Sequence, residues 1–194
     1  MKQLIFSLAI LFFANASAGE FEDAIDAYER KDYRTAITKF RSAADKGNVL
    51  AQFNMGLMFR NGYGTAQDYK EAARWFKLAG QQGHPQAQYN LALMHEMGQG
   101  VSQSYAESIR LYRLAAIQGL AQAQNNLATL YGNGQGVEKD VLMSYMWYTI
   151  SAQNGNAISL QGLNALATQM SNQQIEKSKR LARECIESKY QKCN

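Results

Sequence analysis

The sequence predicts an all-α protein built as a solenoid of stacked helical repeats, and three observations carry that prediction. A 36-residue period runs through the middle of the chain: Ala51-Gln52, Ala87-Gln88 and Ala123-Gln124 open three copies of one pattern, and Gly47, Gly83, Gly119 and Gly155 keep its register. Inside each copy the apolar residues recur at spacings of three and four, as one face of a helix requires. Proline occurs once, at Pro85, and no stretch alternates apolar and polar residues in the manner of a strand. One pair of helices cannot bury its own apolar face, so neighbouring pairs must stack.

The elements follow in chain order. Lys2, the apolar stretch Leu4 to Phe13 and the small residues Ala16-Ser17-Ala18 read as a signal peptide over residues 1–18, with the mature chain starting near Gly19. The apolar stretch is too short to span a bilayer, which takes about 20 residues. Residues 19–50 read as a shorter N-terminal repeat, in which Ala24, Tyr28, Tyr33, Ala36 and Phe40 keep the helical register. Three repeats follow at 51–86, 87–122 and 123–156.

In each repeat the first helix places a small residue (Gly56, Ala92, Ala128) amid large apolar ones, which allows close backbone approach at one point. Each first helix ends at a glycine pair: Gly62-Tyr63-Gly64, Gly98-Gln99-Gly100 and Gly134-Gln135-Gly136. Asp68 with Glu71, and Ser104 with Glu107, have the spacing of capping boxes for the second helices, whereas Asp140 keeps the cap without the answering acid. The second helices turn Trp75 and Phe76, Ile109 and Tyr112, and Trp147 and Tyr148 inward. After Gly155 the period fails, and residues 157–194 read as a helical cap. One helix is expected over about 157–170, and a second, started by Ser171 and Gln174, over 172 to at most 190. Ile175, Leu181, Ala182, Cys185 and Ile186 are expected to face inward there.

Without residues 1–18 the chain holds 19 basic and 16 acidic residues, too mild an excess to suggest nucleic-acid binding. The distribution is polar: Glu20, Glu22, Asp23, Asp26, Glu29 and Asp32 crowd the start, and Lys177, Lys179, Arg180, Arg183, Lys189 and Lys192 the end. The two cysteines, Cys185 and Cys193, are expected to pair in an oxidising compartment. An unbroken helix would hold them roughly 12 Å apart, so the tail must leave the helix and fold back. Such a staple is worth about 2 to 3 kcal/mol in the chain-entropy model.

These residues resemble the Sel-one-like repeat (SLR) family, a relative of the tetratricopeptide repeat. The likeness rests on Ala-Gln-aromatic-Asn at 51–54 and 87–90, Gly-x-Gly-Val at 98–101 and 134–137, Trp75-Phe76, Trp147-Tyr148, and Ala-Ala-x-x-Gly at 115–119. It is strong over 51–156 and weak over 21–50. Departures are Thr65 for Val, Ser104 for Asp and Leu111 for Trp. The resemblance implies a right-handed α-α superhelix of about four helix-turn-helix repeats plus C-terminal capping helices, with the first helices lining a concave face. By register with the tetratricopeptide unit, that face would carry Phe21, Ile25, Phe53, Leu57, Arg60, Tyr89, Leu93, Glu96, Asn125 and Thr129. Arg60 and Glu96 fall outside the family pattern and are the expected selectors of a partner.

Chemistry finds little support. His84 and His95 are the only histidines, so a zinc site lacks a ligand set, and no nucleophile elbow is present. The Gly-x-Gly turns lack the preceding strand of a phosphate cradle. Some SLR proteins bind or cleave β-lactams and tend to carry a cysteine pair in each repeat; these repeats contain no cysteine. The expectation is a non-enzymatic scaffold without cofactor or metal, exported to the periplasm or secreted, monomeric, and binding another protein rather than nucleic acid or membrane. It would act as adaptor or regulator of an envelope process. The alternatives are an immunity protein against a toxic periplasmic enzyme and a β-lactam-binding or cell-wall-active enzyme.

Overall fold

The computed structural model describes residues 19–193; the signal peptide expected over 1–18 lies outside them. Ten helices and no strand occur among the described residues. They are α1 (19–29), α2 (Tyr33–Asp45), α3 (Val49–Asn61), α4 (Tyr69–Gln81), α5 (Pro85–Met97), α6 (Tyr105–Ala116), α7 (Ala121–Asn133), α8 (Val141–Gln153), α9 (Ser159–Ala167) and α10 (Asn172–Glu187). No described helix is long and apolar enough to cross a membrane.

The chain divides into two compact units, one reaching Ala87 and including Gln99–Val101, the other comprising Gln88–Gly98 and Ser102 onward. In the first, α3 packs on α2 and α4 around Phe40, Met55, Met58, Trp75 and Phe76, all essentially inaccessible to solvent. In the second, α7 packs on α6 and α8 around Tyr112, Leu127, Leu130, Trp147 and Ile150, and α8 also carries α9 and α10. Burying one such aromatic or aliphatic side chain contributes about 1.5–3 kcal/mol, so the repeated apolar stripes supply the drive for stacking.

Local chemistry sets the helix ends. Asp68 Oδ1 accepts from the amides of Lys70 and Glu71 at 2.9 and 3.1 Å, Ser104 Oγ from that of Glu107 at 3.2 Å, and Asp140 Oδ1 from those of Leu142 and Met143 at 2.9 and 3.0 Å. The capping boxes expected at α4 and α6 differ in their second half. The cap amides of Asp68 and Ser104 donate instead to the carbonyls of Phe59 and His95, each at 2.9 Å. Glu71 and Glu107 accept from Arg74 and Arg110 one turn on. A complete box forms at α10, where Ser171 and Gln174 satisfy one another.

His84 has a definite structural role: Nδ1 accepts from the Ala87 amide at 3.2 Å, starting α5 as Asn48 starts α3. The two positions are 36 residues apart. The second glycine of each pair meets the first turn of the second helix before it. A Cβ on Gly64, Gly100 or Gly136 would come within 2.1, 2.3 or 2.5 Å of Tyr33, Tyr69 or Tyr105, contacts no side chain can make.

At the C-terminus α9 is shorter than expected, and α10 stops at Glu187. Lys189 and Tyr190 take positive φ of 53° and 64°, turning the chain back so that Cys193 bonds Cys185 with Cα atoms 4.7 Å apart. Ile186, expected to face inward, is 36% exposed, because the inner stripe of α10 is Ser178, Ala182 and Cys185. Ile109 likewise leaves the core of α6, which is formed by Ser108, Leu111, Tyr112, Ala115 and Ala116.

Candidate functional site

The ten residues assigned to the inner face of the first helices are all half-buried: none is sealed in the core and none stands fully free. In the first unit they are apolar except for Arg60. The Phe21 ring lies 5.8 Å from that of Phe40, and Phe53 sits between Phe76 at 5.9 Å and the His84 imidazole, stacked at 4.5 Å. Ile25, Leu57 and Arg60 share this partial exposure, and the Arg60 carbonyl accepts from Gln67 Nε2 at 2.7 Å, holding the turn after α3. Burial pushes the His84 imidazole below its ordinary pKa, so at neutral pH it is an uncharged ring with Nδ1 available to the cap.

The second unit replaces this with a polar chain. Tyr89 packs on Tyr112 at 5.6 Å, and the buried Tyr112 hydroxyl donates to Glu96 Oε2 at 2.7 Å while accepting from Asn126 Nδ2 at 3.0 Å. Asn125 Nδ2 donates to Asn126 Oδ1 at 3.2 Å, and Asn125 Oδ1 accepts from Ser159 Oγ at 2.9 Å. Thr129 donates to the Asn125 carbonyl at 3.1 Å and shares a hydrogen bond of 2.9 Å with the Tyr148 hydroxyl. Leu93 stands half-buried beside these groups on the same helix as Tyr89 and Glu96. Burial drives the Tyr112 phenol well above its ordinary pKa, the Asn126 hydrogen bond opposing and Glu96 adding to the shift, so it remains a proton donor.

Three assigned residues are thus tied into the fold. Glu96, Asn125 and Thr129 present a polar surface whose geometry is fixed by Tyr112, Asn126, Tyr148 and Ser159, none of which the sequence had placed at the site. Among the described residues no group of three metal-ligating side chains converges. His95, the second histidine, lies 3.2 Å from the Ser102 carbonyl through Nδ1.

A second polar arrangement explains the repeated glutamine. Gln52, Gln88 and Gln124 are buried, and their Oε1 atoms accept from Gln82, Gln118 and Asn154 at 2.7, 2.9 and 2.9 Å. Gln52 and Gln124 also donate to the carbonyls of Ala44 and Ala116 at 3.1 and 2.9 Å, joining the first helix to the end of the helix before it. Gln82, Gln118 and Asn154 recur at 36 residues, a signal that was present in the sequence.

A model of the Sel1 repeat matches residues 49–84, 85–120 and 121–156. The chain belongs to the Sel1 repeat family. Sel1 repeat proteins are protein-interaction scaffolds, and the family is generally non-enzymatic. Among curated proteins none matches the sequence significantly. Two solved structures are similar. One is a protective antigen present in uropathogenic Escherichia coli strains and displaying an SLR fold, 36% identical, with a TM-score of 0.77 over 79% of this chain and 34% of that one. The other is a Sel1 repeat protein from Oxalobacter formigenes, 29% identical, with a TM-score of 0.69 over 74% of this chain and 57% of its own. The alignment thus spans about a third and somewhat over half of these proteins. The chain shares with them the α-α superhelix class of fold.

Proposed function

We propose that this Sel1 repeat chain is an exported, non-enzymatic scaffold that holds another protein in the periplasm through the exposed side of its first helices. The observation that carries this reading is the division of labour on those helices. Ala51, Met55, Met58 and Phe59 of α3 are buried, as are Ala87, Leu91, Ala92 and Met94 of α5, while Phe53, Leu57, Arg60, Tyr89, Leu93 and Glu96 keep part of their surface in solvent. Partly exposed aromatic and aliphatic groups beside fixed polar ones are what a protein partner buries. Export is supported by the disulfide between Cys185 and Cys193 and by the leader-like residues 1–18.

Affinity capture from periplasm tests the reading. The wild type is expected to retain a discrete partner that a variant carrying Arg60→Glu and Leu93→Lys loses, while Lys77→Glu, on the exposed side of α4, keeps it. Equal recovery by all three proteins would exclude the first-helix face.

A further inference from the structure

We infer that the second unit carries a separate docking cleft for an acidic segment of a partner protein, one that presents a large apolar side chain flanked by carboxylates. The cleft has a volume of about 510 Å³. Its floor is one stripe of α6, with Ile109, Arg110, Arg113 and Ile117 spaced as a single helical face. Val137, in the turn after α7, forms one wall, and Tyr190, in the tail fixed by the disulfide, forms another. This lies on the second helix, so it goes beyond the first-helix face proposed above.

The 36-residue register shows that the stripe is not a by-product of the repeat. Its counterparts on α4 are Ala73, Arg74, Lys77 and Gln81, a largely solvated face. Those on α8 are Tyr145, Met146, Thr149 and Gln153, and Tyr145 is packed into a core with Leu166 and Met170. On α6 alone the stripe combines isoleucines with arginines. Ile117 is left 38% exposed although the tail after α10 lies close enough to build the wall.

Charge decides the occupant. Two arginines line the cleft and no acid does. Glu107, outside the lining, accepts two hydrogen bonds from Arg110, at 2.9 and 2.6 Å, which orients that guanidinium and offsets part of its charge, and Arg113 donates to the Tyr131 hydroxyl, which also lines the cleft. Lys189 and Lys192, both exposed, flank the tail residues of the wall. Apolar walls with a basic rim exclude a neutral apolar segment less well than they favour an acidic one, and guanidinium groups bind carboxylates directionally. A volume of this size falls in the range of ligand pockets, about 300–1,000 Å³, which is room for a few side chains.

The test pans a random twelve-residue peptide library on phage against the purified full chain at low ionic strength, then measures the selected peptides by fluorescence polarisation. The expected clones pair aspartate or glutamate with leucine, isoleucine or an aromatic. Their binding weakens by about tenfold or more in Arg110→Glu and in Ile117→Glu, and when the acids of the peptide are replaced by amides, and it is unchanged in Lys77→Glu. Both cleft positions are exposed, and unchanged thermal unfolding confirms that the variants fold. Clones without acids, amide peptides that bind equally well, apolar-free polyanions that bind equally well, or affinity unaffected by Ile117→Glu would each overturn the proposal. Loss of binding in Arg60→Glu alone would assign the peptides to the first-helix face instead.

Discussion

The buried Tyr112 hydroxyl donates to Glu96 Oε2 at 2.7 Å, so a residue that departs from the repeat pattern on the inner face is held by one that belongs to it. Tyr112 comes from the second helix and Glu96 from the first. The bond converts a flexible acid into an oriented one, and Asn126 supports it from the following helix. Tyr112→Phe should therefore lower stability by about 1–2 kcal/mol in urea denaturation. It should also weaken capture of the partner, because Glu96 loses its orientation. A variant as stable as the wild type would show that the hydroxyl is dispensable to the fold.

Gln124 is fully buried, donates to the Ala116 carbonyl and accepts from Asn154. Gln124→Leu fills the same space but removes both hydrogen bonds; the Ala116 carbonyl keeps the Gly119 amide and Asn154 keeps the Tyr190 hydroxyl, so a loss of about 2 kcal/mol is expected. Asn154→Ala leaves Gln124 its bond to Ala116, so a smaller loss, about 1 kcal/mol, should be measured by the same denaturation curves.

The two glycines after α5 and α3 should respond differently to alanine. Gly100 has a φ of 70° and the Tyr69 backbone within 2.3 Å of an added Cβ, so Gly100→Ala combines left-handed strain with a backbone collision and should cost about 3 kcal/mol. Gly62, at φ 73°, has its nearest neighbour at 3.4 Å, and Gly62→Ala should cost about 1 kcal/mol. Similar melting temperatures for the two variants would refute the role assigned to the close approach.

His84 gives the fold a pH dependence of defined sign. Its folded pKa is lowered by burial, so the unfolded chain binds the proton more tightly. The neutral ring's contribution is fully present above about pH 6.5, the ordinary histidine value, and is lost as the pH falls through the lower folded value. Protonation also removes the acceptor that caps α5. Thermal unfolding between pH 8 and 5 should show this decline in the wild type and much less of it in His84→Asn, which keeps an acceptor of the kind Asn48 supplies to α3. Parallel curves for the two proteins would assign the decline to other groups.

The repeats were legible because a helix pair announces itself by short-range spacing: Trp75 beside Phe76, the caps at Asp68 and Asp140, and the glycine pairs all lie within one or two turns of what they control. The staple was legible as well, since Cys185 and Cys193 leave few ways to close. The polar network was not: the recurrence of Gln82, Gln118 and Asn154 marks them as repeat positions, but nothing local pairs them with residues about 30 positions away. Gln82 reaches Gln52 across 30 positions, and Ser159 reaches Asn125 across 34. The second half of the α4 and α6 capping boxes failed for a related reason: carbonyls of the preceding helix compete for the cap amides, and Arg74 and Arg110 compete for the acids. Ile109 was misplaced because a stripe read at spacings of three and four does not distinguish a core face from the wall of a cleft.

The central claim is that partner binding uses the first helices. Hydrogen–deuterium exchange of the chain with and without its captured partner measures this most directly. Slowed exchange should appear in α3, α5 and α7, centred on Leu57, Leu93 and Thr129. Protection confined to α4, α6 and α8, with the first helices exchanging as in the free protein, would contradict it.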